Sequence, residues 1–122
     1  MKILTLEELS VLCLEWQEKL GLSHWHIAVR ICRDREMPLP DVQASSDISL
    51  QMEYALISML DPVDYPASPF EQDMEVTLVH ELLHIPLLYF TDPDEGTIEH
   101  THLEAFIERT ARLLVSLAHA QG

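Results

Sequence analysis

The segment from Ser68 to Phe90 constrains the fold more than any other. Met74, Val76, Leu78, Val79, Leu82, Leu83, Ile85, Leu87 and Leu88 leave it almost no polar face. A helix that is apolar nearly all round has to be a buried, central one. Ser68-Pro69-Phe70-Glu71 reads as its start, with Ser68 as N-cap, Pro69 at the first helical position and Glu71 completing a capping box. The pattern runs to about Phe90, with a kink expected at Pro86, which lacks a backbone donor. Thr91-Asp92-Pro93-Asp94-Glu95-Gly96 are turn residues that end it.

The remaining elements must pack around that rod. Thr5 and Glu8 form a capping box ahead of an apolar stripe of Leu9, Leu12, Cys13, Trp16 and Leu20, and Gly21 reads as the C-terminal cap. Trp25, Ile27, Val29 and Ile31 alternate with His24, His26, Ala28 and Arg30, the period of a half-buried strand. Val42 to Asp47 and Glu53 to Leu60 read as two further strands. A last helix spans about Thr97 to Ala118, with Leu103, Phe106, Ile107, Thr110, Leu114 and Leu117 as its core face. The order helix, three strands, helix, helix implies an α+β domain over residues 1–122, with a small, mostly antiparallel three-stranded sheet packed on helices. Trp16 and Trp25 are the expected anchors between the first helix and the sheet.

Composition removes several classes of function. The net charge of −14 excludes nucleic acid as a partner, because phosphate binding needs clustered Lys and Arg. No apolar run approaches the ~18 residues of a membrane span. Cys13 and Cys32 sit in apolar stretches and read as buried free thiols. With MKILTLEELS too short and too soon acidic for a signal peptide, a cytoplasmic protein is expected. Five of the seven Lys and Arg precede Glu36; from Glu36 to Glu108 there are none, against sixteen Asp and Glu. Any cleft built from that stretch would carry a negative potential and favour cationic ligands.

His80-Glu81-Leu82-Leu83-His84 lies in the most apolar helix. Two histidines four apart stack on one helical face, so their imidazoles can converge on one metal ion. Glu81 is rotated off the ligand line and can reach a water beside the metal. Burying these groups is costly without partners, so the competing reading is a pair of hydrogen-bonded core histidines. Catalytic zinc takes three protein ligands. The last helix offers Glu99, His100, His102 and Glu104, and Glu104 fits best, since its stripe continues through Glu108 and the small Ala111 along the core face. His100 is the alternative third ligand, or a donor supporting Glu104. Glu99 and His102 face elsewhere, His24 and His26 read as a polar strand face, and His119 sits in a frayed end.

His80-Glu81-Leu82-Leu83-His84 followed by Glu104 resembles the gluzincin clan of zinc metallopeptidases. The likeness is strongest to its minimal members, the minigluzincins and SprT-like peptidases of bacteria and phages. The order of elements matches over nearly the whole chain; of the motifs, only His-Glu-x-x-His is specific. The resemblance implies that His80, His84 and Glu104 bind Zn2+. Glu81 would take a proton from the attacking water and hand it to the leaving amine, while zinc polarises the scissile carbonyl. It implies that Glu108 orients a ligating histidine and that an edge strand, here Tyr54 to Leu60, holds the peptide. It also implies an oxyanion donor, for which Tyr65, Tyr89 and His100 are the candidates. A zinc-dependent endopeptidase acting on peptide or protein substrates, basic ones favoured, is thus the leading expectation. The alternative is a non-catalytic, zinc-stabilised module that binds a protein through its acidic face; a metal-free regulatory domain comes third.

Overall fold

The computed structural model describes residues 2–120. Helix α1, Leu6–Lys19, starts at the expected capping box: Thr5 accepts from the Glu8 backbone, and Glu8 accepts in return from the Thr5 backbone. It ends before Gly21, whose φ of +73° is the left-handed conformation glycine tolerates. Leu9, Cys13 and Trp16 are buried along its inner stripe.

Three strands form one sheet, β1 (His26–Cys32), β2 (Ala44–Ser49) and β3 (Tyr54–Leu60), in the order β1-β3-β2. β2 and β3 are antiparallel, with Ser49 opposite Tyr54. β1 and β3 run parallel, with His26 also opposite Tyr54. The sheet is therefore mixed, one pair of each kind, rather than mostly antiparallel. The cause is the position of β3. It follows β2 through a short turn, then inserts beside β1 instead of leaving β2 in the middle. Side-chain chemistry explains the choice. Ala55, Ile57, Ser58, Met59 and Leu60 are all buried, as a near-continuous apolar strand must be. β2, with the sequence ASSDIS, is polar enough to stay at an edge.

Helix α2, Met74–Leu88, is the central element; Met74, Leu78, Val79, Leu82 and Ile85 are fully buried. It begins five residues later than the capping pattern at Ser68 suggests. Ser68 does accept from the Phe70 backbone, but no helix follows. Lys2 bridges to Asp73 instead, with its backbone bonded to Gln72 and Met74, and this holds the chain extended up to the helix. Asp73 is the real N-cap, its carboxylate accepting from the backbones of Glu75 at 2.9 Å and Val76 at 3.2 Å. The helix continues through Pro86 to Leu88.

Helix α3, Ile98–Ala120, packs on α2 through Ile107, Ala111 and Val115, spaced four apart. Leu103, Thr110 and Leu114 flank that stripe, but Phe106 and Leu117 are each 49% exposed and do not belong to the core face. The small Ala111 lets the two helices approach closely, so a narrow stripe suffices.

Glu75 joins these elements. It is 2% exposed and accepts from Trp16 Nε1 at 2.8 Å, while Lys2 Nζ and His119 Nε2 meet its other oxygen. His119 is therefore tied to a buried carboxylate, not frayed. Trp16 and Trp25 are both buried, as are the free thiols of Cys13 and Cys32. Burial pushes the Cys13 thiol up to about 11, which keeps it unreactive. No helix among the described residues is long and apolar enough to cross a membrane.

Candidate metal centre

His80 and His84 stand one turn apart on α2, with ring centroids separated by 5.3 Å. Glu81 lies between them in sequence and is 8% exposed. Each of the three offers a ligand atom within 4.8 Å of the others, so the group could hold a metal ion. The packing of α3 on α2 brings Glu104 and Glu108 beside these rings.

Glu104 spans both histidines. Its Oε2 lies 2.9 Å from His80 Nε2 and its Oε1 lies 3.1 Å from His84 Nε2. His100, one turn earlier, places Nε2 3.7 Å from the same Oε1. On the far side of the His80 ring, Nδ1 meets Glu108 Oε1 at 2.9 Å, and Arg112 Nη2 holds the other Glu108 oxygen at 2.7 Å. A relay of alternating charge thus runs from Arg112 through Glu108 and His80 to Glu104.

The electrostatics follow from this packing. Burial works against a charge on His80, but the carboxylates of Glu104 and Glu108, aided by Glu81, outweigh it and hold the ring's pKa up at about 9. When protonated, the His80 ring donates to a carboxylate at each nitrogen. The hydrogen bonds from His80 and His84 press the Glu104 pKa well below the usual carboxylate range. Glu81 moves the other way. Burial raises its pKa, and the fields of His80 and His84, with a hydrogen bond from Ser46, only partly offset this.

Ser46 is a member of the site that the sequence pattern had not picked out. It sits on β2 near the Glu81 carboxylate, and its hydroxyl works to lower that group's pKa. The available signal was the alternation of β2, which turns Ala44, Ser46 and Ile48 to one face. Arg112 was likewise missed, since it lies beyond the acidic stretch.

Clefts open on both sides of Glu81. One of about 570 Å³ lies between β2, the end of α2 and the loop before α3, and reaches His84, His100 and Glu104. The other, about 270 Å³, runs past His80 and Glu104 to Asp73, Glu108 and Arg112. His100 lines the larger cleft, whereas Tyr65 and Tyr89 line neither. Glu99 and His102 are exposed and outside the cluster, and His24 pairs with Glu53 at 3.0 Å on the surface. The strand beside the site is β2, not the Tyr54–Leu60 strand; β3 is central and has no free edge.

Comparisons with family models, with curated proteins and with solved structures find no match to this chain.

Proposed function

We propose that the chain is a zinc-dependent peptidase, cutting within polypeptides rather than at their ends. The observation that carries this reading is the pairing of two unlike arrangements at one point. A metal-type donor set of His80, His84 and Glu104 converges beside a buried carboxylate, Glu81, that lines an open cleft. A purely structural histidine pair needs partners but does not need a second buried acid aimed at a cleft.

Two imidazole nitrogens with a carboxylate oxygen are a donor set that catalytic zinc uses. Ligand atoms about 2.1 Å from a shared tetrahedral centre lie about 3.4 Å apart. Glu104 Oε1, 3.1 Å from His84 Nε2, lies near that value, while Oε2, 2.9 Å from His80 Nε2, is at hydrogen-bond distance. Zinc held there would supply Lewis-acid activation of the water and the scissile carbonyl.

The chain's own residues do the rest. Glu81 accepts the proton of the attacking water and delivers it to the leaving amine; its burial raises its pKa, the direction that strengthens it as a base. Glu108 orients His80 through Nδ1, leaving Nε2 for the metal side. His100 lines the larger cleft and, with its ring N–H, is one donor available to a developing oxyanion. The free edge of β2 supplies backbone donors and acceptors for an extended peptide, and clefts on both sides of Glu81 suit a substrate that continues past the cut bond.

One observation favours a second reading, that of a zinc-stabilised module binding a protein through its acidic face: neither Tyr65 nor Tyr89 reaches the cleft. Glu81→Gln separates the two. The peptidase reading expects retained zinc and lost hydrolysis, whereas a binding module hydrolyses nothing in either form.

A further inference from the structure

The two clefts beside Glu81 are both acidic, yet their carboxylates are not equally available. In the smaller one Asp73 is committed to capping α2, Glu108 is held by His80 and Arg112, and Glu71 is also engaged. In the larger one Asp92 and Glu95 have no hydrogen-bond or ion-pair partner among the described residues. No Lys or Arg lines that cleft; beside Ser45, Ser46 and the two histidines, its wall has an apolar part built from Leu39, Val42, Ile48 and Leu88. Glu81, nine-tenths buried, is aimed into the same space.

We infer that the site selects peptides with a Lys or Arg close to the cleaved bond, on one side of it only, and that Asp92 and Glu95 set this preference. The inference rests on the peptidase reading. A metal dication with neutral His80 and His84 and an ionised Glu104 carries a net +1, which an ionised Glu81 cancels. Asp92 and Glu95 then remain as uncompensated charge at the cleft wall. An aliphatic stem lying on Leu88 and Val42 with a cationic head beside two carboxylates matches that wall in both its parts. An acidic substrate side chain would be repelled, and an apolar one of equal length would gain only the wall. The opposite cleft, with Arg112 on its lining and its acids engaged, offers no such pairing.

The test uses the zinc-loaded protein and a set of otherwise identical peptides in which one position, stepped along the sequence, is Lys, norleucine or Glu. Fragments are read by mass spectrometry. The expected result is kcat/KM about tenfold higher for Lys than for norleucine at positions on one side of the cut, the yield of two exposed ion pairs, with Glu slowest. In the Asp92→Asn, Glu95→Gln double variant the Lys-to-norleucine ratio falls to about one. Zinc content and unfolding temperature are checked against the parent to show that the fold is kept. Ionic strength near 1 M, where screening acts within about 3 Å, removes the preference as well. Equal rates for Lys and norleucine, a preference on both sides of the bond, or one that survives the double variant overturns the inference and leaves the peptidase reading standing. Should no peptide be cut, the peptidase reading fails. Binding of the same peptides then decides this one: a Lys advantage lost in the double variant upholds the selective cleft, and equal binding overturns it.

Discussion

Glu108 and Glu104 grip opposite ends of one imidazole, at 2.9 Å from His80 Nδ1 and 2.9 Å from His80 Nε2 respectively. One carboxylate is thus placed to orient the ring while the other shares its metal-facing side. Replacing Glu108 with Ala removes only the orienting partner. Zinc affinity, read by competition with a chromophoric chelator, is expected to fall about 10- to 100-fold, with helix content unchanged. An unaltered affinity contradicts the assigned role.

The start of α2 gives a sharper test of the fold. Asp73→Ala removes a side chain that accepts two backbone N–H bonds and should cost about 1 kcal/mol. Ser68→Ala touches a turn outside the helix and should change stability by less than about 0.5 kcal/mol. Urea unfolding of the two variants distinguishes the caps; equal losses would return the helix start to Ser68.

Most of the framework was legible because local signals and tertiary packing agree. The Thr5–Glu8 capping box, the alternation around Val29 and the four-residue spacing of His80 and His84 are each fixed by neighbours in sequence. The helix does not start at Ser68 because a non-local contact overrides a good local cap: the bridge from Lys2 to Asp73 keeps residues 69–72 out of the helix. The central place of β3 could have been read from its unbroken apolar run against the polar β2, but strand order depends on how both faces are covered. Phe106 and Leu117 satisfy helical periodicity yet lie outside the contact, since spacing alone does not say how wide a stripe α2 covers. Ser46 became visible only when the edge strand was placed beside Glu81.

Ala111 is fully buried on the face of α3 that packs against α2. Ala111→Leu should overpack the contact and destabilise the fold by about 1–3 kcal/mol. It should also weaken zinc binding by moving Glu104 away from His80 and His84. A variant that loses stability but keeps full zinc affinity would separate the metal site from this packing.

Glu75 predicts a pH dependence. Burial raises its pKa, but bonds from Lys2, His119 and Trp16 outweigh this and bring it from an ordinary 4.5 down to about 2. Because the folded value is the lower one, the stabilisation is complete above pH 4.5 and is lost as pH falls from there through about 2. The shift corresponds to roughly 3 kcal/mol at most. Denaturant unfolding of the parent and of Glu75→Gln should therefore show a stability gap that is wide at pH 6 (~6, above both pKa values) and closes through that acid range. A gap independent of pH contradicts the ion-pair account.

The central claim is that His80, His84 and Glu104 hold a metal for which Glu81 works as the proton carrier. It is tested most directly by peptide hydrolysis measured on the parent and on Glu81→Gln at matched zinc content. The expected outcome is about one zinc per chain in both, with cleavage by the parent and a loss of about a thousandfold in the variant. Zinc-loaded parent protein that cuts no peptide, or a variant that cuts as fast as the parent, contradicts it.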